Sequence, residues 1–268
     1  VKTMNLQVLV STMHRDDYSL IEKMNIQTDA IVINQFNTNT IQHFKVNNSC
    51  IKWINSKDRG LSISRNMALE NANSNICLLA DDDLEYLKGY EEIVLTQFQH
   101  YPNADIIAFQ VEGIERTFKN YYPRSRKVNC FTLMKISSVE IAFRVDKIKK
   151  ANIQFKEIFG AGAKYFMGEE SIFLSDCLKS GLTIMYVPIK IADLHIGDST
   201  WFKGFNKAYF YSKGAAFAAM SKQFSVLLII QFAIRRNALF KNTMTLKNSI
   251  RYMMAGRKHY LDSLKKQE

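Results

Sequence analysis

At 268 residues, 47% of them hydrophobic, the chain can bury the core of one α/β domain with an appendage, not of two full domains, and a wholly disordered chain is excluded. Three prolines and 11 glycines exclude a long Pro/Gly linker between modules. The net charge of +11 is unevenly placed: residues 1–199 hold 23 Lys/Arg and 23 Asp/Glu, whereas residues 200–268 hold 13 Lys/Arg against Asp262 and Glu268. An excess confined to one end points to an anionic partner, either nucleic acid or a membrane surface.

In chain order, residues 6–10 read as a first strand, 17–24 as a short helix, 29–34 as a second strand and 50–54 as a third. Ser62 can cap a helix in which Leu61, Met67, Ala68 and Ala72 keep helical spacing. Residues 75–80 form an apolar strand that stops at three aspartates, followed by a helix over 87–100 and a strand over 105–111. Strands that are apolar throughout, alternating with helices, predict an α/β fold: a mostly parallel sheet with helices on both faces. Residues 116–127 are polar, aromatic and basic and read as an irregular loop. Val139, Ile141, Phe143 and Val145 alternate, which predicts a half-buried strand over 138–145. Residues 159–163, with Gly160 and Gly162, read as a flexible loop, 171–179 as a helix and 183–194 as a strand ending at His195. From Trp201 onward the pattern is helical, aromatic and basic.

Cys50, Cys77, Cys130 and Cys177 form no C-x-x-C pair, and Cys77 sits in an apolar run as a buried thiol would, a pattern that suits a reducing compartment. Residues 1–10 lack the apolar segment and cleavage site of a signal peptide. The longest apolar run, 224–234, spans 11 residues, short of the roughly 18 a membrane span needs. A soluble or peripheral protein is expected.

Asp81, Asp82 and Asp83 carry the first chemical signal. Three adjacent carboxylates repel one another unless a cation offsets them, and ligands of open α/β sheets bind at the carboxyl ends of strands. A hard divalent ion takes oxygen ligands and keeps substrate phosphates in its shell. The other reading is that these acids favour the start of the next helix.

Three segments, Val8-Leu9-Val10-Ser11-Thr12, Arg59-Gly60-Leu61-Ser62-Ile63-Ser64-Arg65-Asn66 and Leu79-Ala80-Asp81-Asp82-Asp83, resemble the donor-binding half of glycosyltransferase family 2. Phe155-Lys156-Glu157 and Gly168-Glu169-Glu170 resemble its acceptor half. The likeness covers residues 5–200 and is nearest to capsule and exopolysaccharide transferases of bacteria. It implies a GT-A fold, Rossmann-like, with a nucleotide-diphosphate sugar donor (a UDP-sugar), a divalent Mn or Mg ion and inversion at the anomeric carbon. By the same resemblance Ser11 and Thr12 touch the nucleotide, Arg65 the donor region, Asp81 the ribose or sugar, and Asp83 the metal, while Asp82 can stand in for either neighbour. Where many members carry an acid after the second strand this chain has Asn34-Gln35, whose amides can hydrogen-bond a base or ribose, and Asp58 is the other candidate for the nucleoside contact.

Glu169 and Glu170 align with the family's acidic pair, whose second member is the general base. A sugar hydroxyl must lose its proton as it attacks, and a carboxylate within hydrogen-bond reach can take it. Glu170 is therefore the expected base, with Glu169 as the fallback; alternatively both only begin the following helix. His195, at the end of the last strand, is a candidate further metal ligand. His14, His43, His100 and His259 have no such context and read as surface residues.

These readings divide the chain into a catalytic part, 1–199, with a donor half to about 112 and an acceptor half from about 113, and a helical basic extension, 200–268. The extension pairs Lys203, Lys207, Lys213, Lys222, Arg235 and Arg236 with aromatic and apolar residues, as an interfacial helix does, with Phe224, Leu228 and Phe232 as the inserting face. Packing on the catalytic part and a subunit interface in an oligomer compete with that reading. The expected partners are thus a sugar nucleotide, a glycan acceptor on a lipid such as undecaprenyl, and an anionic membrane, at the cytoplasmic face of the cell membrane. Nucleic acid is not expected, because no nucleic-acid motif accompanies the charge. Two rivals remain at this stage. A metal-dependent nucleotidyltransferase would need a Gly-rich phosphate loop, which Ser11 to Arg15 does not supply, and a basic scaffold or nucleic-acid binder would make the acids incidental.

Overall fold

The computed structural model describes residues 4–197 and 204–266. In its first half, β1 (Leu6–Met13), β2 (Asp29–Gln35), β3 (Thr40–Val46), β4 (Ser49–Ser56) and β5 (Ile76–Asp81) lie in the spatial order β3-β4-β2-β1-β5. All neighbours are parallel except β3, which returns antiparallel along β4 at the sheet edge. Successive residues of β1 reach opposite layers. Leu9 packs with Ala68 and Leu69 of α2 (Leu61–Asn71), whereas Val8 and Val10 pack with Leu20 of α1 (Leu20–Lys23) and Val94 and Phe98 of α3 (Tyr90–His100). Burial on both faces is why these strands read as unbroken apolar runs.

The second half continues the sheet as β9-β7-β10-β6 from β6 (Leu84–Tyr86), β7 (Ile106–Gly113), β9 (Ile141–Arg144) and β10 (Ile184–Leu194), with β8 (Arg126–Lys127) also paired to β10. β7 and β10 are parallel, and β9 runs antiparallel to both β5 and β7, which joins the two halves. α4 (Val145–Lys150) and α5 (Glu169–Lys179) complete this half.

Several local expectations are corrected. The helix expected over 17–24 is only α1, because Asp17 accepts hydrogen bonds from the N–H and hydroxyl of Ser19 and makes a turn instead. Ser62 does not cap α2. Gly60 starts that helix at φ 129°, and Ser62 Oγ donates to the carbonyl of Phe159 (2.6 Å). The strand expected over 138–145 is four residues long and covered on both faces, Ile141 and Phe143 in one apolar layer and Ala142 in the other. The loop at 159–163 is tied down: Gly160 N donates to Tyr165 O (2.8 Å), and Leu61 N donates to Ala161 O (3.0 Å).

The basic extension folds as α6 (Lys207–Met220), α7 (Ser225–Phe240) and α8 (Leu246–Lys265). The boundary expected at 199/200 and the helical start at Trp201 lie outside the described residues. Phe210, Phe217, Ile229, Phe240, Met253 and Tyr260 share one apolar cluster with α2 and α5, so the inner faces of these helices pack on the body. Two close approaches set this layer. A Cβ on Gly214 would stand 1.9 Å from Met253 O and one on Gly256 1.9 Å from Tyr211 O, so α6 and α8 cross backbone to backbone. A Cβ on Gly168, at φ 96°, would meet Ala216 Cβ at 2.6 Å, which seats α6 against the start of α5. Leu228 and Phe232 are half-buried in this packing, with Phe232 5.7 Å from the Phe217 ring, so they do not form the outward face that their spacing implied. The exposed apolar stripe of α7 is Phe224, Leu227, Ile230 and Ile234. Among the described residues no helix is long and apolar enough to cross a membrane.

Candidate active site

The parallel pairing places the ends of β2, β1 and β5 in one row, with Ser11 opposite Asp81 and Thr12 opposite Asn34. The three aspartates that follow diverge. Asp81 accepts from Arg65 Nη2 (2.9 Å) and Ser138 Oγ (3.4 Å). Asp82 turns back to β1, accepting from Thr12 Oγ1 and from Arg15 Nη2 (2.8 Å). His14, in the left-handed region at φ 54°, bends the chain so that Arg15 can reach it. Asp83 makes no ion pair among the described residues. Partial burial, then the charges of Asp81 and Asp82, push its carboxyl up to about 7.

Arg65 is the hinge of the site. Its side chain is 2% exposed, reaches Asp81 with one nitrogen and Glu169 Oε1 with another (3.1 Å), and lies over the Phe155 ring. Burial opposes its charge, but Asp81 and Glu169 outweigh that and hold the guanidinium protonated. The rest of its motif ties α2 to β1 and to the second half. Ser64 Oγ donates to Ser11 Oγ (2.9 Å), and Asn66 exchanges hydrogen bonds with both the N–H and the carbonyl of Phe155 (2.8 and 2.9 Å).

α5 opens at Gly168, in the left-handed region, so Glu169 and Glu170 occupy its first turn, where the helix dipole favours acids. The two differ sharply. Glu169 is 6% exposed and tied to Arg65; burial and the neighbouring Glu170 push its carboxyl up against the pull of that arginine. Glu170 is half-buried and has no ion pair among the described residues. It feels the field of Lys213 on α6, whose ammonium stands 5.5 Å and 5.4 Å from the centroids of the Phe217 and Phe232 rings. Lys213 is thus turned inward, unlike the outward charge its place in a basic tail suggested.

One pocket of about 250 Å³ gathers Arg65, Asp81, Asp83, Glu169 and Glu170, with Phe118, Ser138 and Gly168 among its walls. Ser11, Thr12, Asn34, Asp58 and Asp82 do not line it; they follow the strand ends on the other side of Asp81. Asp58 is exposed on the turn after β4, in hydrogen-bond contact with Ser56 Oγ. Asn34 is spent on the protein itself: fully buried, it brackets Arg15 through both the N–H (3.1 Å) and the carbonyl (2.8 Å) and donates to Asn55. It shapes the rim by holding Arg15. Gln35, the neighbouring amide at the end of β2, accepts from Gly60 N (2.8 Å) and holds the start of α2. His195 is exposed; its backbone N–H donates to Asp83 O (2.9 Å), while its ring Nδ1 pairs with Glu115 (3.0 Å). His14, His43, His100 and His259 are exposed, as expected, and His259 bonds the Tyr165 hydroxyl.

For a divalent ion, Asp83 is the available protein oxygen, crowded by two like charges that a cation would offset, with Asp81 next to it. Among the described residues no three His, Cys, Asp or Glu side chains converge into a complete cage. The site therefore fits an ion that brings further oxygens with it, as one carried on a diphosphate does.

Residues 34–173 match the family model Glycosyl transferase family 2, a span that holds the aspartates and both glutamates and leaves out Ser11, Thr12 and His195. A search of the curated proteins finds no match. Among solved structures, S. aureus TarS 1-349 in complex with UDP-GlcNAc is similar at TM-score 0.61 and 12% identity, over 96% of this chain and 92% of that one. Its complex with UDP gives 0.62 and 13%, over 99% and 92%. A further S. aureus TarS structure gives 0.63 and 13%, over 91% of this chain and 46% of that one. With the sheet described above, this likeness identifies the fold as GT-A with a helical C-terminal layer.

Proposed function

Because the chain belongs to glycosyltransferase family 2, we propose that it transfers a sugar from a nucleotide-diphosphate sugar to a hydroxyl of a glycan acceptor, with inversion at the anomeric carbon. The observation that carries this reading is the pocket in which Asp81 and Asp83 at the end of β5 face Glu170 at the start of α5, with Arg65 between them. The UDP-GlcNAc and UDP in the similar TarS structures support a UDP-sugar as the donor. Glu170 takes the proton of the acceptor hydroxyl while that oxygen bonds to the anomeric carbon and the bond to the diphosphate breaks. Glu169 holds Arg65 in place. Ser11, Thr12 and Asp58 lie along the nucleotide, and Asp81 contacts the sugar or ribose. Asp83, with His195 through Nε2, would hold a Mn or Mg ion, which when bound offsets charge on the departing diphosphate.

A panel of sugar nucleotides read by release of nucleoside diphosphate tests this. One donor should be turned over, chelator should stop it, Mn or Mg should restore it, and Asp83→Ala should abolish it in a folded protein. No release from any donor would reject the transferase; full activity of Asp83→Ala in chelator would reject the metal.

The acceptor is proposed to be lipid-linked, in capsule, exopolysaccharide or cell-surface glycan synthesis, with the enzyme peripheral at the inner face of the membrane. The stripe Phe224, Leu227, Ile230 and Ile234 is exposed on α7 beside the exposed cations Lys222, Arg235 and Lys241, which suits an anionic bilayer. Each basic residue near such a surface is worth about 1 kcal/mol. The protein should therefore float with vesicles containing anionic lipid, less so at high salt, and Leu227→Ser/Ile234→Ser should stay behind. Equal flotation of that variant would reject this face. Dimerisation through the stripe without flotation would make it a subunit interface.

A further inference from the structure

A second cavity of about 490 Å³ adjoins the catalytic pocket, sharing Phe118 and Ser137 with it. Its walls come from the segment 118–137, Tyr186 of β10 and Arg236 of α7. The one acid lining it, Glu140, is already satisfied: it is 2% exposed and accepts from Lys119 Nζ (2.7 Å), the Tyr121 hydroxyl (2.5 Å) and Ser137 N (2.9 Å). This network fixes one wall and leaves no negative charge for a ligand to meet.

The cations have no counter-charge among the described residues, although Lys135 is in hydrogen-bond contact with the Tyr122 side chain. Arg126, Lys135 and Arg236 are all exposed at this cavity, and among the described residues no carboxylate pairs with any of them. Lys135 Nζ and the Arg126 guanidinium lie 4.2 Å and 4.4 Å from the centroid of the Tyr122 ring, so two like charges are held against one side chain. Arg236 occupies a place where a packed helix turns a hydrophobe inward. Ala233, three residues before it, and Phe240, four after it, are both fully buried. A cation on that face escapes burial because α7 there roofs the cavity.

We propose that this cavity is an acceptor subsite for a negatively charged unit of the acceptor chain, a glycan or polyol strand bearing phosphodiester or carboxylate groups. Guanidinium forks match such oxyanions, and the Tyr121, Tyr122 and Tyr186 rings supply flat apolar walls for the sugar or polyol between them. A neutral strand would leave three converging cations uncompensated. The inference rests on the glycosyl-transfer reading, because the subsite gains its meaning from adjoining the pocket that holds Glu170.

Calorimetric titration of the whole chain with three oligomers of equal length tests it: a phosphodiester-linked polyol, a uronate-containing oligosaccharide and a neutral oligosaccharide. One anionic oligomer should bind about ten-fold tighter than the neutral one, the strength of a charge-assisted contact, and lose that margin as salt rises. Whichever anionic oligomer binds identifies the phosphodiester or the carboxylate. Arg126→Gln/Lys135→Gln/Arg236→Gln should erase the preference while donor binding stays unchanged. Equal binding of all three oligomers, or a preference that survives in the triple variant, overturns the subsite. Selective, Arg236-dependent binding with no turnover of any sugar nucleotide upholds the anionic site and rejects the transferase reading instead.

Discussion

Arg65→Met is expected to cost about 3–5 kcal/mol of stability, measured by urea unfolding, and to abolish turnover. The cost comes from what the arginine leaves behind. Asp81 is 31% exposed at its side chain, so water can serve it, but Glu169 is 8% exposed and sits beside Glu170 with no other cation bonded to it among the described residues. Removing the partner strands a buried carboxylate, which then takes up a proton. The pH dependence follows with a definite sign. A carboxyl whose folded value lies above its unfolded 4.5 binds more protons in the folded state, so stability falls as pH rises through that window. The deficit of the variant should therefore be largest at high pH, where Glu169 of the folded wild type is ionised, and should narrow as pH falls through its raised folded value, below which it is protonated in both proteins. Arg65→Met/Glu169→Gln should recover part of the loss, since a neutral amide needs no counter-charge. A single-variant deficit below about 1 kcal/mol would show that the pair contributes no more than a surface ion pair does.

The same buried bridge shows what sequence could and could not reveal. Strands closed on both faces announce themselves as apolar runs, which is why β1, β2, β5 and β7 are legible, while β4 shows through the alternation of buried Ile51 and Trp53 with Cys50 and Lys52. β3 is not, because Thr40, Ile41, Gln42 and His43 lie exposed on the sheet edge and carry no burial pattern. β9 is misread for the opposite reason: its alternation suggests one wet face, yet Ala142 on the second face is buried in the other apolar layer. In the site, the residue types are legible and their pairings are not. Three adjacent aspartates imply mutual repulsion until the fold brings Arg65 and Arg15 to two of them, the latter from 67 residues away. Arg15 belongs to no motif. Lys213 belongs to the basic extension by sequence, and only the crossing of α6 over Gly168, with Ala216 at the contact, brings it to the first turn of α5.

Glu170→Gln is expected to lower kcat by about 10²–10⁴-fold, the range for lost acid–base assistance, with donor binding nearly unchanged. The amide keeps the shape and hydrogen-bonding length of the side chain but cannot accept a proton from the attacking hydroxyl. Donor affinity should survive because the diphosphate contacts are proposed on the β5 side of the pocket, away from α5. Glu169→Gln should behave differently. Its carboxylate is engaged by Arg65 and buried, so the substitution acts on the position of Arg65 and hence on Asp81. Donor binding and kcat should then fall together, and Glu169→Asp, which keeps the charge, should restore part of both. Comparing donor titration with single-turnover rates separates the two patterns. If Glu169→Gln loses only the chemical step while Glu170→Gln turns over normally, the buried member of the pair is the base, and Arg65 tunes its basicity instead of borrowing its charge.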